Sequence, residues 1–349
     1  MANKLGKINS SAFQSIIAGR CGYPSRKELL TPAAFGVDVA VVDVGNGMAM
    51  ALTSDPLSLI PSLGLRESAW LSVHILANDM ATTGFAPQYA QMVLNLPASL
   101  SLEDFSVYWG YIHEFCNEIG ITVTGGHTGF IEGQNSTIAG GATFVTIAPA
   151  QQIILSSGAK EGDIILMTKT AAMVSTAILA MSFPQTIRDR LGNEVYQQVA
   201  DLFYHTSSLT EALIARQIPQ AITAMHDVTE GGILGAVYEL ATASKKGCKI
   251  NYEAIPVLPN QQKICQLFQL DPARIIGAGS MLMTCRPDKV QPVIEALAQK
   301  NIACTVIGQI LPDPREKILI KNKQPQELTY EENDPYWAAF FNALMQGWT

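Results

Sequence analysis

The segment Met225-His226-Asp227-Val228-Thr229-Glu230-Gly231-Gly232 puts a histidine, two carboxylates and paired glycines into one short stretch. It follows an apolar run and precedes a helical pattern carrying Ile233, Leu234, Val237, Leu240 and Ala241. A helix start has unpaired N–H groups, and glycines let a phosphate oxygen or a metal-bound water approach closely. Asp227 suits magnesium, which takes one or two carboxylates plus phosphate oxygens. The plainer reading is N-capping by Asp227 or Thr229. Capping alone does not call for His, Asp, Glu and two glycines together, so a nucleotide-handling helix start is the stronger reading, with His226 and Asp227 as candidate catalytic residues.

Other candidates are scattered. Asp38 opens an apolar strand in Gly36-Val37-Asp38-Val39-Ala40-Val41, and Asp55 follows Leu52-Thr53-Ser54 at the far end of the same hairpin. Carboxylates at the ends of paired strands can converge on one cation, or can be ordinary turn residues. Asn78-Asp79 lies inside a helical pattern, where Asp is a poor choice unless solvated or committed to a site. Gly125-Gly126-His127-Thr128-Gly129 follows a strand and reads as a turn that could present an N–H nest to phosphate, or as a plain turn. Lys169 stands at the carboxyl end of a strand, where an α/β site would use it on phosphate and where a surface lysine is equally at home. Cys21 in Gly19-Arg20-Cys21-Gly22 has only Arg20 nearby to lower its pKa, so it reads as unreactive.

The elements that must carry these residues follow from periodicity. Residues 37–54 form a hairpin with its turn at Gly45-Asn46-Gly47. Residues 66–82 form a helix on the spacing of Ala69, Val73, Leu76 and Met80, and 91–96 a strand. A helix starts at Ser101-Leu102-Glu103-Asp104, a capping box with Asp for the usual Glu, and ends at Gly120. Strands are expected at 121–124 and 136–148. After a Gln-, Ser- and Gly-rich stretch at 149–162, strands at 163–168, 221–225, 248–252, 280–285 and 302–309 alternate with helices at 171–183, 194–203, 206–217, 261–268, 287–300 and 334–345. The expectation is an α/β (α+β) protein of two domains, 1–150 and 151–349.

The 349 residues are 48% hydrophobic and 15% charged, which supports a large core and argues against disorder. With 23 basic and 30 acidic residues and no basic run longer than Lys245-Lys246, a nucleic-acid partner is not expected. An acidic chain that binds an anionic nucleotide needs magnesium and backbone N–H groups to do so. No two of the six Cys lie within four residues, so they read as core thiols of a reducing compartment. No signal peptide or membrane-spanning stretch is apparent, which makes the cytoplasm the expected location.

In order, Gly36–Val42, Thr53-Ser54-Asp55, residues 77–87, Gly125-Gly126-His127-Thr128 and residues 225–232 resemble the superfamily of aminoimidazole ribonucleotide (AIR) synthase, HypE, thiamine-monophosphate kinase and selenophosphate synthetase. Residues 162–169 and 225–236 are similar to its AIR-synthase-related, HypE-like subgroup in particular. The resemblance covers roughly residues 30–310. It implies an N-terminal sheet that pairs in a homodimer, and ATP with magnesium between the domains. It also implies activation of an oxygen of a small-molecule substrate by phosphoryl transfer. By position, Asp38, Asp55, Asp79 and Asp227 would hold magnesium or its waters. Gly125, Gly126, His127 and Thr128, with Asn78, Gly231 and Gly232, would bind the nucleotide. The chain departs from the pattern at Val37, where many members have a second Asp, and at His127, where several have Asp. It ends in Gly347-Trp348-Thr349 rather than the substrate-carrying Cys of HypE, so HypE activity itself is not expected. Two further readings stay open: a nucleotide-binding regulatory or scaffold dimer without catalysis, and a small-molecule kinase like thiamine-monophosphate kinase.

Overall fold

The computed structural model describes residues 6–8, 10–23 and 26–349. A short helix α1 (Ser10–Ala12) runs into a π-helical turn at Phe13–Ala18. Strands β1 (Leu29–Thr31), β2 (Ala40–Gly45) and β3 (Met48–Ser58) follow, then helix α2 (Leu65–Ala81), β4 (Tyr89–Pro97), α3 (Leu102–Ile119), β5 (Thr122–Ile131) and β6 (Ile138–Pro149). These strands form a mixed sheet in the order β1-β2-β3-β6-β4-β5, in which only β4 and β5 are parallel neighbours.

The alternation in β3 and β4 sends Ala49, Ala51, Ala90, Met92, Leu94 and Leu96 to one face. Helices α2 and α3 cover that face with Ala69, Val73, Leu76, Met80, Tyr108, Ile112 and Phe115. The start of α3 is capped as its sequence suggests: Ser101 Oγ accepts the Asp104 N–H at 3.0 Å. The box is not reciprocal, because the Asp104 carboxylate takes the Ser101 hydroxyl at 2.8 Å instead of reaching back to the backbone. The opposite sheet face is open, with Tyr89, Val93 and Ile147 exposed there.

The second half contributes β7 (Ile164–Thr168), α4 (Met173–Ser182), α5 (Pro184–Leu191), α6 (Asn193–Ala200), α7 (Leu209–Arg216), β8 (Ile222–Asp227), α8 (Gly232–Ala243), β9 (Gly247–Asn251), α9 (Pro259–Leu267), β10 (Met281–Cys285), α10 (Val290–Ala298), β11 (Cys304–Leu311), β12 (Lys317–Lys321), β13 (Gln324–Glu327) and α11 (Pro335–Met345). Its sheet runs β13-β12-β9-β11-β7-β10-β8, with β8 at one edge. The chain is therefore a mixed α/β fold with two sheets. The β12–β13 hairpin and α5 were not expected. Strand β12 is a short Lys-Ile-Leu-Ile-Lys run that turns into β13 at Asn322-Lys323, both at positive φ, and α5 follows α4 with only Phe183 between them, Pro184 standing at its start. Among the described residues no helix is long and apolar enough to cross a membrane. Cys116, Cys248, Cys265 and Cys285 are buried and unpaired, and burial pushes the first three thiols up to about 12, so they are inert.

One expected turn is absent. Gly125 to Gly129 lie inside β5, paired with Gln91 to Asn95 of β4 past a register shift at Ala90 and Gln91. Gly126 has φ +147°, and a Cβ there would sit 1.7 Å from the Met92 carbonyl oxygen. The glycine is required by close strand packing, not by a phosphate nest. Gly126→Ala is expected to lower stability by about 2–3 kcal/mol, read as a shifted urea midpoint. An alanine variant as stable as the parent protein would contradict the strand reading.

Helix α2 has a second face. Trp70, His74 and Asn78 recur every four residues, and Trp70 and Asn78 reach the C-terminal half. Trp70 Nε1 donates to Thr206 Oγ1 at 3.1 Å, and Asn78 donates to the Thr206 carbonyl while accepting the Ser208 N–H. His74 stacks on Trp70 with ring centroids 3.6 Å apart and is buried, which lowers its imidazole to about 4. The unfolded chain takes up that proton near 6.5 and the folded one does not. The stability His74 supplies is thus full above 6.5 and is lost as the pH falls toward 4. Between pH 7 and 5 the loss is about 2 kcal/mol. His74→Phe is expected to abolish this part of the acid dependence in denaturation curves. An unchanged pH slope would sink the assignment.

Candidate functional site

Strand β8 carries His226 and Asp227 to the end of the second sheet, opposite Leu282 and Met281 of β10. The chain entering β2 lies against α8 there, because Gly36 leaves room: a Cβ at Gly36 would meet the Glu239 carbonyl oxygen at 2.6 Å. That approach sets Asp38 beside His226. Nε2 of His226 lies 3.5 Å from Asp38 Oδ1 and 3.3 Å from Glu239 Oε2, and Nδ1 donates to the Asp227 carbonyl at 2.6 Å. Ser156 Oγ donates to Asp38 Oδ2 at 3.0 Å, and Thr53 Oγ1 to Asp79 Oδ2 at 2.9 Å.

Ligand atoms of Asp38, His226 and Asp227 lie within 4.8 Å of one another. Asp55 and Asp79 face the same cluster. Burial, followed by the charges of Asp227, Asp55 and Asp38, holds the Asp79 carboxyl well above the usual range. Burial and then Asp38 push Asp227 up to about 7, and burial pushes Asp55 up to about 6. Burial would lower His226, but Asp38 and Glu239 outweigh it and raise the imidazole to about 10. The four aspartates singled out in the sequence are thus brought together, from the approach to β2, the β3 strand, α2 and the end of β8.

This group suits a hard divalent cation. Its donors are carboxylate oxygens from four elements, their mutual repulsion is what a cation relieves, and Asp227 Oδ2 is buried without a hydrogen-bond partner among the described residues. The His226 side chain is only 1% exposed and lies behind the carboxylates, where Asp38 and Glu239 favour its charged form.

Several of the other expected binding residues are engaged within the protein. Lys169 gives its ammonium to Glu211 at 2.8 Å and to the carbonyls of His205 and Ser207 at 2.9 and 2.6 Å. Asn78 is consumed by the tie to Thr206 and Ser208. The Gly231 N–H goes to Asp334 Oδ2 at 2.8 Å and the Gly232 N–H to the Thr229 carbonyl at 3.1 Å. His127 and Thr128 are exposed on β5. Sequence reasoning missed Glu239, although a lone carboxylate on the buried side of an otherwise apolar helix was a usable signal. It also missed Lys7, whose ammonium reaches Thr229 Oγ1 at 2.8 Å and Glu230 at 3.8 Å from a distant part of the chain.

Residues 36–147 match the N-terminal domain, and 160–321 the C-terminal domain, of the AIR synthase related proteins. The chain belongs to that family. It is 25% identical over 262 residues to carbamoyl dehydratase HypE of Cupriavidus necator, covering 72% of this chain and 70% of the relative. It is 24% identical over 323 residues to selenide, water dikinase of Methanococcus maripaludis, covering 87% and 92%. Among solved structures, HypE in complex with ATP superposes with a TM-score of 0.65 at 17% identity, over 95% of this chain and 97% of that one. AaThiL complexed with AMPPCP and TMP gives 0.71 at 16% identity, over 93% and 97%. These structures share the fold.

Proposed function

We propose that the buried acidic group binds magnesium with ATP and that the protein uses the nucleotide to activate an oxygen of a small-molecule substrate by phosphoryl transfer. The observation that carries this reading is the convergence of Asp38, Asp55, Asp79 and Asp227 around a buried, unpartnered carboxylate oxygen. The relatives named for ATP or for ATP analogues support it. Magnesium would neutralise phosphate charge as it is transferred. The four aspartates would hold it, His226 would fix Asp38, and Thr53 would fix Asp79.

Asp227→Asn is expected to weaken magnesium-dependent ATP binding at least tenfold in calorimetric titration. It is also expected to stabilise the metal-free protein by about 1–2 kcal/mol, because it removes a buried, repelled charge. Retained affinity in the variant would overturn the site. A second reading, a nucleotide-binding regulatory dimer without catalysis, is favoured by the internal use of Lys169 and of the Gly231 and Gly232 N–H groups. ATP turnover stimulated by any small-metabolite pool excludes it, and tight binding with no turnover in any pool supports it.

A homodimer through the open sheet face belongs to the same proposal. Tyr89 and Val93 on β4 and Ile147 on β6 are 40–44% exposed beside the unpaired edge of β5. Val93→Glu is expected to halve the mass measured by light scattering. A parent protein that is already monomeric would contradict the dimer.

A further inference from the structure

The family match begins at residue 36 and ends at 321, yet residues 328–334 return to the site. This strap is anchored at Leu328, which is buried and bonds its N–H to the Lys317 carbonyl at 2.8 Å. Arg274 grips it through Glu331 at 2.8 Å. Glu332 accepts the Ser10 hydroxyl at 3.0 Å, which ties the strap to the N-terminal arm that carries Lys7.

Two strap side chains then reach the elements that hold the acidic group. The Tyr330 hydroxyl donates to Glu239 Oε1 at 2.8 Å, leaving Oε2 to face His226. The ring is wedged edge-on against Phe35 at 5.1 Å, three residues from Asp38. Asp334, only 7% exposed, uses both carboxylate oxygens: Oδ1 accepts the Tyr336 N–H and caps α11, and Oδ2 accepts the Gly231 N–H. Asp334 therefore places a carboxylate on the amino end of α8, where the sequence suggested phosphate.

We infer that Tyr330 and Asp334 are positioning residues that set Asp38 and Asp227 for a divalent cation, an inference that rests on the magnesium reading above. Tyr330 fixes the rotamer of Glu239, and Glu239 fixes the imidazole that aims Asp38. Asp334 fixes the turn between Asp227 and α8, and with it the direction of the Asp227 carboxylate. An asparagine at 334 has one acceptor oxygen for two N–H groups, so one of them loses its partner. A phenylalanine at 330 removes a single oxygen and leaves the ring packing intact.

The test is manganese binding followed by electron paramagnetic resonance, with magnesium–ATP titration in parallel, on the full chain and on Tyr330→Phe and Asp334→Asn. Thermal melts verify folding, and Tyr330→Phe carries the test alone if Asp334→Asn does not fold. The expected result is a dissociation constant for manganese raised about tenfold in each folded variant, with faster hydrogen exchange at Gly231 in Asp334→Asn. A purely structural strap would move the melting temperature and leave manganese affinity unchanged, and that result overturns the inference. If the parent chain binds manganese but never ATP, the nucleotide reading fails while the variants still decide the role of the strap. If it binds neither, both fail.

Discussion

Everything at the acidic group depends on how several buried carboxylates are kept close together. Like charges in a low-dielectric interior repel strongly and shift their pKa values upward until they protonate or find a cation. Here one imidazolium, His226, offsets part of that repulsion by standing between Asp38 and Glu239. Burial, joined at Asp227 by the charge of Asp38, leaves Asp227 and Asp55 well above ordinary carboxylate values. A group in this condition is a poor stabiliser of the metal-free fold and a good receptor for a divalent ion. The same electrostatic imbalance accounts for both properties.

Geometry for that balance comes from the seam between the two sheets. Helix α2 belongs to the first core through Val73, Leu76 and Met80 and to the seam through Trp70 and Asn78. Asp79 follows Asn78 directly, so the residue tied to Thr206 and Ser208 also sets the depth at which Asp79 enters the cluster. Gly36 does the corresponding work on the other side by admitting the α8 backbone. Rigid elements of both halves thus hold the carboxylates, which is what a preorganised cation site requires.

Much of this was legible in the sequence. Helix α2, the capped start of α3, the 225–232 turn and the four aspartates all carried local signals: spacing, caps, glycines, and acidic residues in apolar surroundings. The resemblance to a family tied the aspartates together, which spacing alone could not. The failures share a cause. Lys169, Asn78 and the Gly231–Gly232 pair have the right residue types at the right local positions. The donors of Lys169, Asn78 and Gly231 are engaged by Glu211, Thr206 and Asp334, partners 42, 128 and 103 residues away in sequence. The Gly125-Gly126 pair differs: a glycine pair after a strand signals a turn, but here both lie within β5, and at Gly126 the Met92 backbone comes too close for any Cβ.

These spent donors bear on how an anion would be held. A helix amino end with free N–H groups attracts phosphate directly. At α8 the Gly231 and Gly232 N–H groups are occupied by protein oxygens, one of them a carboxylate, and Lys169 is locked away from the cluster. Lys7, on Thr229 and Glu230, is then the cation nearest this turn, and the surrounding aspartates oppose direct attraction of phosphate. A triphosphate binding here would have to arrive with its cations, which Asp38, Asp55, Asp79 and Asp227 would hold. On that argument affinity for nucleotide should be governed by metal concentration more steeply than in a site built on lysines and glycine N–H groups, and an acidic chain with few basic residues is the natural host for such a site.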